Sequence, residues 1–453
     1  MPPLARWDVR NLVRKLGAHA RPSQQRDALH TIAELSFCDD GDVNSLIAIT
    51  AAGAIPQLVQ LLGAGSSTGV QGEAAAAALG NLAHLADNKV AIAAAGAIPL
   101  LVQLLGPGTT AWMRECAADA LCCLAFSADN HVTIAAAGAI PPLVTLLGLG
   151  CSADAQRSAG ITPGKLSQNG DNNVAIAAAG AIPPLVQLLG PGSSAAVHEA
   201  AAGALANLAN CGENKVTITA ASAIPPLVLL LGPGSTADVQ LIAAAALSNL
   251  AQHADNQVVI ASAGAIPPLV QLLGPGSSRD VHMAAAVALA NLARCAENTL
   301  TIAAAGAILP LVLLLGPGST ADVQLIAAGA LKKLAQHADD RVVIASAGAI
   351  PLLVQLLGPG ATARMRQFAA ELLCCLACNA DNHVTIAAAG AIPLLVQLLG
   401  PGSDDLPKDA AARALMVLGH HNANNCAAMY AAGASVGMDV LEEMDRLMER
   451  LGI

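Results

Sequence analysis

Apolar residues recur along this chain in short one-sided runs broken by small and polar residues. In one stretch Ile182, Leu185, Val186 and Leu189 fall at i, i+3, i+4 and i+7, the spacing of one helix face. Before it, Val174, Ile176 and Ala179 mark a shorter helix; after it, Val197, Ala201, Ala204, Leu205 and Leu208 mark a longer one, from about Ser194 to Asn210. Gly180 gives a sharp turn between the first two. Pro183 and Pro184 suit the first turn of the second helix, where a missing N–H does no harm, and Gly190-Pro191-Gly192 ends it. Two kinds of cap are expected. Asn172 reads as the N-cap of the short helix, with equivalents at Asn88, Asn130, Asn214, Asn256, Asn298 and Asn382, and Asp340 once. Ser235-Thr236-Ala237-Asp238, Ser277 to Asp280 and Ser319 to Asp322 read as capping boxes opening the long helix.

The same triplet returns at a fixed step. Gly-Ala-Ile-Pro stands at Gly53, Gly96, Gly138, Gly180, Gly264, Gly348 and Gly390, with Ser222 and the Gly306-Ala307-Ile308 variant between them; the first step is 43 residues and the others are 42. A period of this size is the mark of a stacked helical array. Short helix, proline-started helix, Gly-Pro-Gly loop and long helix in that order resemble the armadillo repeat. The resemblance covers about residues 43 to 420, in phrasing closest to the vacuolar protein 8 and plant-type U-box branches of that family. It implies an all-α, armadillo-type right-handed α-solenoid of three-helix, 42-residue repeats. The expected organisation is a capping half repeat over 1–42, nine repeats over 43–423 and capping helices over 424–453, as one quasi-linear domain. In the first cap, Leu4 to Leu16 and Ser23 to Phe37 are expected to form two helices. In the last, Leu441, Met444, Leu447, Met448 and Leu451 make an amphipathic stripe.

One repeat departs from the pattern. Where a long helix belongs, Gly160, Pro163 and Gly164 predict a helix ending near Ser158 and then a loop up to Asn172.

Composition narrows the function. Hydrophobic residues are 55 % of the chain, yet glycine and proline cut the uncharged runs into lengths too short for a membrane span, so no membrane insertion is expected. The start lacks a secretory core, and Pro2 stands where a myristoylated glycine would be. A net charge of −10 argues against nucleic acid as a general partner. Eleven cysteines without a secretion signal imply a reducing compartment, the cytoplasm or the nucleus. Most of them read as small packing residues; Cys375 and Cys378 have zinc-like spacing without a second ligand pair. His253-Ala254-Asp255 and His337-Ala338-Asp339 recur with the repeat and so read as structure, because an active site need be built only once. No nucleophile–base pair, metal set or cofactor fingerprint emerges, so no enzyme, metal or cofactor is expected.

What the resemblance implies is a binding groove along the long helices, holding an extended segment of another protein. The family's ligand-binding asparagine corresponds here to Asn81, Asn207, Asn249 and Asn291; Cys123, Lys165, Lys333, Cys375 and Val417 interrupt the row. Each asparagine either reads a peptide backbone or bonds the neighbouring repeat. Asn207 to Asn291 is the longest intact stretch, and Lys333 follows it. Import adaptors of this class place tryptophan one turn earlier, where this chain has Ala77, Gly203, Ala245 and Val287; Trp7 and Trp112 lie elsewhere. Leu229 and Leu313 replace the usual outward glutamine of the second helix and form a candidate partner patch. The expected function is a non-enzymatic adaptor. The competing readings are a nuclear import adaptor and a structural scaffold of a cytoskeletal or vacuolar-surface assembly.

Overall fold

The computed structural model of the chain describes residues 8–17, 19–36, 43–63, 70–400, 405–420, 422–436, 442 and 446. Among these the regular structure is helical, with no β-sheet strand. The long helices are α1 (Pro22–Ser36), α2 (Val70–Leu82), α3 (Ala111–Leu124), α4 (Ala153–Leu166), α5 (Ala195–Leu208), α6 (Ala237–Leu250), α7 (Arg279–Leu292), α8 (Ala321–Leu334), α9 (Ala363–Ala377) and α10 (Asp405–Gly419). Two short helices precede most of them. The chain divides into two compact units, Met1–Leu230 with Gly234–Ala246, and Leu231–Pro233 with Leu247–Ile453. In the first unit α1 packs on α2, α2 on α3, α3 on α4 and α4 on α5; in the second, α7 packs on α8, α8 on α9 and α9 on α10. Val9–Leu16 precedes α1, and Ala423–Val436 follows α10. The amphipathic stripe from Leu441 to Leu451 lies outside the described residues.

One triplet shows why these residues fold this way. Gly170–Ala178 ends in a left-handed turn at Gly180, φ 78°, from which Ile182–Leu188 leaves at a new angle. That φ suits glycine, which has no Cβ to clash. Ile176, Ile182, Leu185 and Leu188 are buried, as are Val197, Ala201, Ala204, Leu205 and Leu208 of α5, and Ile182–Leu188 packs on α5. Each buried leucine contributes on the order of 2 kcal/mol and each alanine much less, so many stacked faces must share the stabilisation.

The caps differ from expectation in register. Asn172 is inside its helix; the N-cap is Asn169, which accepts from the Asp171 and Asn172 backbone N–H groups. Asn172 Nδ2 instead donates to the Leu166 carbonyl of α4 at 3.2 Å. The same bond recurs as Asn88 to Leu82 (2.8 Å), Asn130 to Leu124 (3.0 Å), Asn214 to Leu208 (3.2 Å), Asn298 to Leu292 (3.1 Å) and Asn382 to Leu376 (2.9 Å). A long helix ends in carbonyls with no partner inside it, and an amide donor supplies one. Nor are the expected capping boxes formed. The N-caps are Thr236, Ser278 and Thr320, whose side chains accept from the N–H three residues on, so Asp238, Asp280 and Asp322 fall at the second helical position rather than the third. There they favour the helix dipole but are out of register for the reciprocal bond.

The expected break after Ser158 does not occur. Helix α4 runs unbroken from Ala153 to Leu166 with Pro163 inside it. Packing explains this. A Cβ on Gly160 would stand 3.2 Å from Ala200 Cβ, and one on Gly164 would stand 3.1 Å from Ala204 Cα. The glycines therefore let α4 lie close against α5, and burial of Ala155, Ala159, Pro163 and Leu166 outweighs their poor helix propensity. Ser152 caps the helix start, accepting from the Ala155 N–H at 3.2 Å, and Thr162 Oγ1 donates to the Ser158 carbonyl at 2.7 Å.

Candidate functional site

The exposed faces of the first unit's long helices carry two depressions that share Arg157. One, of about 560 Å³, crosses α1 to α4 and is lined by Glu34, Asn81, Trp112, Glu115, Asp119 and Asp154 among others. The other, of about 600 Å³, crosses α4 to α6 between Lys165, Glu199, Gly203, Asn207, Ile242 and Ala245. Ala77 lines the first; Gly203 and Ala245 line the second. Small residues at these positions leave the volume that a large side chain would fill, which is why a groove exists there.

The candidate asparagines are held largely by their neighbours. Asn81 Nδ2 donates to Ser36 Oγ at 3.2 Å and to the Ala33 carbonyl at 3.4 Å, both on α1. Asn207 Nδ2 donates to the Gly164 carbonyl of α4 at 2.9 Å. Asn291 Nδ2 donates to the Ser248 carbonyl and hydroxyl, each at 3.1 Å. All three are half-buried, so each amide fixes its helix to the one before while the side chain still borders solvent. Asn249 is half-buried at the same register in the second unit, and Lys333 is half-buried in the last turn of α8. Leu229 and Leu313 are 70 % and 67 % exposed on the second helices of their respective repeats, with Leu309 beside Leu313 at one helical turn.

Two features escaped the sequence pattern. Trp112, which does not occupy the family's tryptophan position, lines the first depression together with Asn81. Its spacing to Glu115 and Asp119, i, i+3 and i+7, is the signal that places all three on one face of α3. In the second unit, Lys332 of α8 meets Glu371 Oε2 of α9 at 2.6 Å and lies 4.9 Å from the Phe368 ring centre; Arg413 of α10 stands 3.8 Å from Glu371 Oε1. Burial alone would raise the Glu371 carboxyl, but the bonds from Lys332 and Gln367 and the charges of Lys332 and Arg413 hold it below its ordinary value.

Four of the thiols are poor nucleophiles. Burial pushes Cys116, Cys122 and Cys123 up to about 12 and Cys374 up to about 11, with nearby carboxylates or thiols adding to it. Among the described residues no three His, Cys, Asp or Glu side chains are grouped to hold a metal ion.

Residues 45–84, 171–210, 213–252 and 253–294 match the armadillo/beta-catenin-like repeat. Among solved structures, the crystal structure of an engineered protein from a structural genomics consortium is 31 % identical, with a TM-score of 0.80, covering 91 % of this chain and 99 % of that one. No curated protein matches the sequence. Helical triplets with a left-handed turn and a proline start, repeated through both units, agree with these similarities: the chain belongs to the armadillo repeat family, whose fold is an all-α solenoid.

Proposed function

We propose that the chain is a non-enzymatic scaffold that holds an extended segment of another protein in the groove of its first unit. Armadillo repeats generally bind other proteins, and the observation that carries the reading is the pair of adjoining depressions across α1 to α6. An extended segment has an N–H and a C=O at every residue, and the half-buried Asn81 and Asn207 border the groove with acceptor oxygens. No single described helix is long and apolar enough to cross a membrane. Gly203 has only Ile242 Cγ2 near its missing Cβ, at 3.8 Å, so Gly203→Arg fills the groove without disturbing the core. Proteins captured from an extract of the source cell by the wild type are expected to be lost with this variant. Capture that is unchanged would remove the groove as the site.

A second reading, a scaffold that binds through its second helices, is favoured by the exposure of Leu229 and Leu313. Leu229→Gln and Leu313→Gln, restoring the residue found at this place in most repeats, separate the two: loss of capture here with Gly203→Arg still active supports the outer surface.

A further inference from the structure

We propose that each unit carries a further docking surface along the first short helices of its repeats, away from the groove, and that it takes an amphipathic helix of another protein with an apolar residue at every seventh position and lysine or arginine beside it. The surface starts from a column of side chains left in the open. In the first unit Val90, Val132, Val174 and Val216 hold the same place in successive repeats and are 50 to 61 % exposed. In the second, Val258, Leu300, Val342 and Val384 hold it and are 42 to 74 % exposed. An acid lies three residues before each of them. These are Asp87, Asp129, Asp171 and Glu213 in the first unit and Asp255, Glu297, Asp339 and Asp381 in the second, all exposed. One turn after the first unit's valines come Ala94, Ala136, Ala178 and Ala220, also exposed, so each valine stands above its neighbour on that side.

The fold by itself does not account for both columns. The helix dipole favours an acid in a first turn. It gives no reason for valine in solvent, in a chain that fills its helices with alanine, the better helix former. The column just before the valines shows how the repeats meet a purely structural need. In the first unit it reads Lys89, His131, Asn173 and Lys215. Asn173, and Gln257 and Arg341 in the second unit, donate from it to the carbonyls of Ser167, Ala251 and Ala335, at 3.2, 2.9 and 2.7 Å. That task is met by side chains of several kinds, while the apolar and acidic columns beside it stay uniform.

Charge, size and spacing say what covers the surface. Among the described residues Asp255 alone of the eight acids is in an ion pair, with His253 at 4.0 Å. The cations on these helices are Lys89, Lys215 and Arg341; Lys215 is buried, and Arg341 is bound to the Ala335 and Gln336 carbonyls. A second copy of the chain would bring carboxylates against carboxylates. Four half-exposed side chains also offer far less than the roughly 800 Å² per partner that a stable dimer buries. A slender cationic partner meets both conditions. Within a unit successive short helices touch, as Ala86–Ala94 touches the Ala128–Asn130 turn and Ala254–Ser262 touches Ala296–Ala304. Packed helices stand about 8–10 Å apart. Seven residues of an α-helix rise about 10.5 Å and return the side chain to nearly the same face. Three residues of a β-strand cover about the same distance but turn the side chain to the opposite face. The step of the column therefore fits a helix.

The test uses the full chain and a fluorescent peptide of about 28 residues, with leucine at every seventh position and lysine or arginine on either side of it, read by anisotropy at low salt. It is expected to bind about tenfold more tightly than a peptide of the same composition with its leucines off that spacing. A counterpart with glutamate for each cation is expected not to bind. Val132→Gln, Val174→Gln, Leu300→Gln and Val342→Gln combined are expected to abolish the tenfold preference. Glutamine is as good a helix former as the residues it replaces, and far-ultraviolet circular dichroism checks that the variant folds. Gly203→Arg, in the groove, is expected to leave the preference intact. Equal binding of the two cationic peptides would reduce the effect to net charge and overturn the proposal. So would a preference that the combined variant keeps, or one that Gly203→Arg removes, which would move the peptide into the groove. No binding, or self-association of the chain that the combined variant abolishes in sedimentation, would overturn it as well.

Discussion

Asp340 stands where seven other repeats carry asparagine, and a carboxylate has no N–H to give to the helix end before it. Its Oδ2 is buried without a hydrogen-bond partner. Burial, with some help from Asp339 and against His337, raises its carboxyl above the ordinary value of 3.8. A raised acid favours the folded state only while protonated, so its contribution declines as pH climbs from 3.8 through the folded value and stays lost at neutrality. Asp340→Asn is therefore expected to stabilise the protein at neutral pH by about 1–2 kcal/mol in denaturant titrations, with the gain shrinking on acidification. Ser222 is the one described non-glycine residue at positive φ, 62°, where most repeats have glycine. Relief of about 1–2 kcal/mol of left-handed strain is partly offset by the added chain freedom of glycine, so Ser222→Gly is expected to gain about 0.5–1 kcal/mol by the same titration. The sequence made these positions visible as exceptions within a column. It did not make the role of the column visible, because an asparagine near a helix start looks the same whether it caps its own helix or the end of the previous one.

Helices were readable wherever glycine, proline and leucine spacing agreed with one another. Helix α4 shows where such reading stops. Gly160, Pro163 and Gly164 are helix breakers by local preference, and what overrides them is Ala200 and Ala204, about forty residues further along on α5. Gly164→Leu would be neutral or favourable in an isolated helix. Here it forces α4 away from α5 and is expected to cost about 2 kcal/mol, measured as a lowered denaturation midpoint. The capping boxes shifted by one residue for a related reason: adjacent Ser and Thr can both cap, and only the backbone decides which one does. For the groove, the sequence pointed to the long helices and to the asparagines near their ends. Asn81 and Asn207 line the depressions, but the choice between ligand and neighbour depends on distances, and Trp112 sits two turns from the family's usual place.

For the molecule as a whole, repeat length is the property most open to experiment. Within the first unit, excising residues 130–171, one 42-residue step, brings Asn172 to the place of Asn130 and so back under the Leu124 carbonyl. That deletion is expected to fold and to unfold cooperatively by circular dichroism. Excising 130–167 instead leaves Asn172 four residues out of register, exposes an unbonded carbonyl, and is expected to cost about 1–3 kcal/mol more. The bond from each asparagine to the helix before it has a wider consequence. Wherever the asparagine stands among the described repeats, the triplet does not finish itself; it is completed by the opening turn of its successor. Such a chain can be lengthened or shortened by recombination wherever the breakpoints fall, so long as the inserted or lost text is a whole number of modules, and near-identical neighbours are what keep that route open.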